Sequence, residues 1–239
     1  MERLCGQALA ESMSTQPLEN PFWSAISTHH RRLAALDQLA GRYLPDVAPF
    51  AGVSTTDVRA VTQLERLVQP GESIFLLGLV PELGPAWSVN NRTLLPQMIC
   101  ESPIPMPPGP DWVELTEQHR AEMLELMAVA YPGFFRARTR EMGRYIGIYD
   151  GSRLVAMAGE RLRVDGFQEV SGVATHPDYT GRGYAHRLVA EVSNAALARG
   201  FIPILHVYRE NVRAVKVYER LGYVVRKELP FVRVTRVGE

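Results

Sequence analysis

GVATHPDYTGRGYAHRLVAEV, residues 172–192, ends an apolar run in Thr-His-Pro, places an arginine between two glycines and continues into an amphipathic stretch. The pattern predicts a strand ending at Thr175, a turn, and a helix beginning near Tyr184. Such a turn exposes successive backbone N–H groups over 180–185. The helix's first turn adds orphan amides and the positive end of its dipole. Together they form an anion site, and glycine at 181 and 183 lets the amides approach phosphate oxygens with no Cβ in the way. The plainer reading is a turn that uses glycine for positive φ, and the turn alone does not choose between the two. Two common phosphate motifs are excluded. No Lys-Ser or Lys-Thr follows the glycines, as a P-loop requires, and His186 stands where the dinucleotide fingerprint needs its third glycine.

Composition narrows the partner. The chain has 239 residues, 46% hydrophobic and 22% charged, the profile of a globular protein with a sizeable core. Acidic and basic residues balance at 26 each, which gives no electrostatic reason to expect nucleic acid or a membrane surface as a partner. Cys5 and Cys100 match no metal or redox spacing, and no metal site is expected. The opening MERLCGQALAESMSTQ lacks the apolar core of a signal peptide, and no apolar run approaches the roughly 20 residues that span a bilayer. A cytoplasmic location is expected.

The sharpest break along the chain is SPIPMPPGP, residues 102–110, with five prolines in nine residues. It reads as a connector between a mixed α/β lobe, 1–101, and a C-terminal unit, 111–239. In the first lobe, NPFWSAISTHHRRLAALDQLAGRYL reads as one helix with Asn20 as N-cap and Pro21 at its first position. His29 and His30 fall on that helix as a solvated face rather than a metal site. TTDVRAVTQLERLVQPGESIFLLGLV reads as helix then strand, divided at Pro70-Gly71. The C-terminal unit is clearer. WVELTEQHRAEMLELM gives a short strand and a helix with Met123, Leu126, Met127 and Ala130 inward. Asp150-Gly151 and Asp165-Gly166 mark hairpins, FIPILHV is a strand, and a helix from Asn211 stops at Gly222.

V-A-T-H-P-D-Y-T-G-R-G-Y-A resembles the acyl-CoA motif of the GNAT acetyltransferase superfamily at Val173, Thr175, Pro177, Thr180, Gly183 and Ala185. HVYRENVRAVKVYERLGY resembles the same family's second signature at Asn211, Ala214, Tyr218, Gly222 and Tyr223. The resemblance covers 111–239 and implies an α+β fold: a mixed, splayed central sheet flanked by helices, here preceded by a smaller α/β lobe. It implies acetyl-CoA, or another acyl-CoA, as co-substrate. Its diphosphate would sit on the turn residues Thr180, Gly181, Arg182, Gly183, Tyr184 and Ala185. Its pantetheine arm would run along Val173, Ala174 and Thr175, with Asn211 near its amide. Thr180 departs from the family's usual Arg or Gln, with Arg182 as the candidate to compensate. An illegible first lobe before an intact GNAT unit resembles the glycine N-acyltransferase-like branch, whose first lobe is similar to a degenerate copy of the fold.

Chemistry on a thioester by an amine asks for a base, N–H groups for the developing oxyanion and an acid for the thiolate. Glu169 is the first candidate base, at the position where some members carry a catalytic glutamate. A two-residue turn at Asp165-Gly166 would pair Val164 with Phe167, Leu162 with Glu169 and Glu160 with Ser171. Alternation then places Glu160, Glu169 and Val173 on one face and Arg161 on the other. Two carboxylates among apolar neighbours would have raised pKa values; the alternative is that they pair with arginines. Tyr218 is the candidate acid, or else a core tyrosine, and Asn211 caps its helix, reaches the cofactor, or does both. Trp23, Trp87, Tyr131 and Phe134 are pocket aromatics or core. The expected function is acetyl transfer to a small-molecule amine or amino acid. Modification of a protein amine and a CoA-binding sensor without turnover are the alternatives.

Overall fold

Alternation in the second half of the chain produces a meander followed by a crossover. In the computed structural model, which describes residues 14–238, β7 (Tyr145–Asp150), β8 (Arg153–Val164) and β9 (Phe167–Thr175) pair antiparallel in sequence order. The helix α4 (Tyr184–Ala198) then crosses back to β10 (Ile202–His206), which lies parallel to β9. Apolar residues at Leu188, Val189, Val192 and Ala196 give α4 one buried face, which covers β8 and β9. A short strand β6 (Val113–Leu115) and α3 (Arg120–Ala130) precede the meander, and α5 (Val212–Arg220) and β11 (Val224–Arg236) end the chain. These elements match the pattern read from the sequence. Cys5 lies outside the described residues.

The first half departs from that pattern. The helix begun at Pro21 is only α1 (Pro21–Ser27), and Asn20 does not cap it; its Nδ2 donates to Val53 O at 2.7 Å. Ser27 and Thr28 turn their hydroxyls back onto the carbonyls of Trp23 and Ser24 at the helix end. The remaining residues become β1 (Ala34–Leu36) and β2 (Ala40–Tyr43), which pair with β3 (Ala51–Val53) in a three-stranded sheet. His29 therefore meets Asp165 at 2.8 Å, and His30 is buried against the Tyr43 hydroxyl. After α2 (Val58–Leu67) come β4 (Ser73–Leu77) and β5 (Trp87–Ile99).

The prolines at 102–110 do not separate two sheets. Strand order in the eight-stranded sheet is β4-β11-β5-β10-β9-β8-β7-β6, so β5 lies between β11 and β10. The connector is strapped along α4: Arg187 donates to Pro107 O and Pro110 O, and Asn194 holds both backbone groups of Ile104. An isolated parallel bridge, Phe50 with Phe75, links the small sheet to β4. Meander, helix and parallel strand thus occur twice, as β1-β2-β3, α2, β4 and as β7-β8-β9, α4, β10. With β6 left aside and the Phe50–Phe75 bridge taken as the join between the sheets, the strand order around the β5–β11 pair reads the same from either end when each element is exchanged for its counterpart. Among the described residues there are five α-helices and eleven strands, and no helix is long and apolar enough to cross a membrane.

Helix α1 packs on the small sheet through a glycine. A Cβ at Gly52 would lie 2.5 Å from the backbone nitrogen of Trp23, inside any real contact distance. Gly52→Ala is expected to destabilise the protein by about 1–3 kcal/mol through this overpacking, read as a lower urea midpoint with an unchanged m-value.

Candidate active site

Parallel pairing of β9 with β10 runs from Phe167–Ile202 to Glu169–Ile204 and stops there. Beyond that rung β10 continues on β5, with His206 opposite Gln97, while β9 continues on β8 alone. The two strands fork. His176 N donates to Val155 O on the β8 side at 2.8 Å. By alternation, Thr175 turns its N–H group into the fork; Val173 lies two residues back, inside a bulge of β9.

Two register shifts aim this edge. Between Glu160 and Arg163 β8 carries one extra residue, and between Ser171 and Ala174 β9 carries the compensating one. The second bulge contains Gly172 at φ +61°, where a Cβ would also press on the Tyr145 ring at 2.8 Å. The first bulge overturns the predicted faces. Val164 pairs with Phe167 as expected, but Glu160 pairs with Val170 rather than Ser171, and Arg161 comes to the side of Glu169.

Glu169 is consequently not a poised base. Arg161 donates to it twice, at 2.7 and 2.6 Å, His206 Nδ1 lies 2.6 Å away and Leu162 N 3.3 Å. Burial pushes the carboxyl up, but the charge of Arg161 and the hydrogen bonds from Arg161 and His206 outweigh it and hold the pKa at about 2. The raised value expected from its apolar neighbours is corrected by the bulge. Glu160 faces elsewhere: it accepts from Arg199, at the end of α4, and from Arg144 N. Neither glutamate borders the cavity described next. His206 also contacts Gln97 Nε2 at 3.0 Å. That amide donates to Leu18 O, and its oxygen accepts from Arg226. This orientation fixes His206 as acceptor at Nε2 and donor at Nδ1.

A cavity of about 630 Å³ runs through the fork. At one end lie Thr180, Gly181, Gly183, Tyr184 and Ala185, with Arg213, Lys216 and Arg220 on α5 and His186 on α4. Val173, Ala174 and Thr175 on one side and Asn211, Ala214 and Tyr218 on the other form its middle. The far end is aromatic, with Phe22, Phe50, Tyr131, Phe134 and Phe231 among its walls. Gly181 and Gly183 have φ of +83° and +80°, and a Cβ at either would meet nothing within 4 Å. The glycines supply positive φ, as the plainer reading of the turn requires, and they leave open space before the helix. Thr180 returns its hydroxyl to Pro177 O. Arg182 departs from expectation: its guanidinium lies 4.6 Å over the Tyr179 ring, and it does not border the cavity. Asn211 caps α5 through Ala214 N at 3.1 Å and also faces the cavity. Burial pushes the Tyr218 phenol up to about 12. Tyr131 and Phe134 do line the cavity, whereas Trp23 and Trp87 do not. The basic face of α5 had a legible signal, the spacing of 213, 216 and 220, which places all three on one side of the helix.

The FR47-like protein family matches residues 145–232. A crystal structure from Novosphingobium aromaticivorans, assigned to the GNAT acetyltransferase family, is 33% identical. The match covers 93% of this chain and 100% of that one, at TM-score 0.85. The chain belongs to the GNAT family. A GCN5-related N-acetyltransferase from Kribbella flavida, 18% identical, shares the fold at TM-score 0.61 over 90% of this chain and 94% of its own. The N-alpha-acetyltransferase RimI of Mycobacterium tuberculosis is 34% identical over 93 residues, 38% of this chain, and the match spans 58% of that curated relative. GNAT acetyltransferases use an acyl-CoA as co-substrate, and the residues here fit one. The space before Gly181 and Gly183 is open, and two buried polar atoms on the cavity wall, Thr175 Oγ1 and His186 Nε2, have no partner among the described residues. No cluster of metal-ligating side chains occurs among the described residues.

Glu169 titrates ordinarily at 4.5 and at about 2 in the fold. Its pairing therefore stabilises the protein above pH 4.5, and that contribution is lost as pH falls toward 2. Glu169→Gln leaves Arg161 buried without its partner and is expected to cost about 3–5 kcal/mol at neutral pH. Urea unfolding from pH 2 to 7 should show a smaller acid-side decline in the variant.

Proposed function

We propose that this chain is an acyl-CoA-dependent N-acyltransferase that moves acetyl from acetyl-CoA to the amine of a small molecule or amino acid by direct attack. The observation that carries the reading is the continuity of the cavity. It leads from open amides at a helix N-terminus, through an unpaired strand edge, to an aromatic chamber. The amides of 180–185 would hold the diphosphate, with Arg213, Lys216 and Arg220 adding positive charge beside it. The N–H groups of Val173 and Thr175 would bond the pantetheine arm, with Ala174 between them and small Ala214 leaving room opposite. Bound there, acetyl-CoA supplies an activated acyl carbonyl. Tyr218, neutral at physiological pH, is positioned to give its phenol proton to the departing sulfur. No aspartate or glutamate borders the cavity among the described residues, and His206 on its wall has both ring nitrogens engaged by Glu169 and Gln97, so in this reading the amine gives its proton to water.

The first hundred residues are read as the degenerate half of a glycine N-acyltransferase-like arrangement. The repeated order of meander, helix and parallel strand supports this, as does the start of α2. There the carboxylate of Asp57 accepts from Arg59 N at 2.8 Å and so occupies the position that Gly183 leaves open before α4. Phe22, Phe50, Leu77 and Leu95 of this half wall the aromatic end of the cavity. Acetylation of a protein α-amine is the second reading, favoured by the match to RimI. The walls contributed by the first half support the small-molecule reading over it.

Titration calorimetry with acetyl-CoA tests the cofactor. Wild-type protein is expected to bind saturably and Gly183→Glu to lose binding, since its carboxylate enters the diphosphate space. Absence of binding by folded, CoA-free wild type would overturn the proposal. Tyr218→Phe is expected to lower kcat by about 100-fold or more with acetyl-CoA affinity unchanged.

A further inference from the structure

The aromatic end of the cavity contains one charged side chain, Arg161. Its Nε and Nη2 hold Glu169, while Nη1 has no hydrogen-bond partner among the described residues. The side chain retains 16% exposure, and its guanidinium lies 4.8 Å over the Phe50 ring. Glu169 also accepts from Leu162 N and lies against His206 Nδ1; it balances the charge of Arg161 as a pair and leaves Nη1 as the guanidinium's unengaged donor. Around this donor stand Phe50 and Phe134 stacked at 6.0 Å, and Tyr131 and Phe134 at 5.8 Å. Among the described residues no acidic side chain borders the cavity to receive an ammonium group.

We infer that the acceptor is an amino acid with an aromatic side chain, its carboxylate bound by Arg161 Nη1 and its ring by the Phe50–Phe134–Tyr131 wall. The inference rests on the acyltransferase reading and adds the acceptor class to it. A carboxylate at Nη1 gains a charge-assisted bond in a site with little water. A polycationic amine finds only Arg161 and has no counter-charge. The same guanidinium disfavours an ammonium at the acceptor position, which helps the amine enter neutral.

The test is thiol release from acetyl-CoA with phenylalanine, phenylalaninamide, phenethylamine, glycine and spermidine. Acetyl-CoA binding is measured alongside. Phenylalanine is expected to exceed the amide and the decarboxylated amine by about 10- to 100-fold in kcat/KM, the range of one hydrogen bond to a charged group, and to exceed glycine and spermidine as well. Arg161→Lys keeps a cation against Glu169; it should retain acetyl-CoA binding and reduce the phenylalanine-to-amide ratio to near one. The ratio is read within one protein sample and does not depend on how much of the variant folds. Three results would overturn the inference while leaving the acyltransferase reading intact. In the first, the amide or spermidine is acetylated as well as phenylalanine. In the second, glycine equals phenylalanine, which would give the aromatic wall to the acyl group. In the third, acetyl-CoA binds and none of the five is acetylated. Failure of acetyl-CoA to bind would instead overturn both.

Discussion

A sheet that opens in its middle must be held firmly at the last closed rung, because the strand edges beyond it have no ladder. Here that rung is Glu169 opposite Ile204, and the Glu169 side chain is the fastening. Its carboxylate joins Arg161 of β8 to His206 of β10 and bonds the backbone of Leu162 as well. A fully buried carboxylate with fewer partners would be costly, whereas one with two guanidinium bonds, an imidazole and an amide is satisfied. The same ion pair that removes Glu169 from proton transfer sits at the last closed rung of the fork. His206 extends the fastening through Gln97 to Leu18 and Arg226, so the first and last segments of the chain are tied to the same rung.

The sequence was most legible where one residue type has one physical use. The Asp-Gly pair at 165–166, the glycines of the 181–183 turn, Asn211 as a cap and Gly222 as a stop all act through local backbone geometry, and local geometry is what a short stretch of sequence encodes. The bulge between Glu160 and Arg163 was not legible. Nothing in GERLRV distinguishes a regular strand from one with an extra residue, and a single extra residue moved Arg161 onto the face of Glu169. An error of one residue in register therefore became an error in charge state. The placement of β5 was hidden for a different reason. Its partners are β11 and β10, more than a hundred residues away, and a run of prolines signals only that the chain turns there, not which sheet the preceding strand joins.

The two halves place the same order of elements under opposite local chemistry. Before α4 the chain has glycine and an open space, whereas before α2 it has Asp57, whose side chain accepts from Arg59 N. A helix N-terminus that carries its own carboxylate has one free donor fewer and a field already opposed, which disfavours a phosphate there. In the first half the gap between meander and crossover strand is bridged by Phe50 with Phe75, and the Phe50 ring lines the other half's cavity. One half thus retains the polar entrance, and the other supplies the apolar wall at the far end.

Charge is distributed along the cavity in a way that constrains the reaction. Arg213, Lys216 and Arg220 stand at the entrance, Tyr218 in the middle and Arg161 at the closed end, with no carboxylate on the walls among the described residues. An acid is available in the phenol, held neutral by burial, while the two imidazoles on the walls are His186 at the entrance and His206, whose ring nitrogens are engaged by Glu169 and Gln97. On the proposed reaction, the cations at the entrance and the Arg161 guanidinium would disfavour an ammonium beside them. A substrate carrying only positive charge would then find no counter-charge on the walls, and the part played by Arg161 would follow from the bulge that turned it toward Glu169.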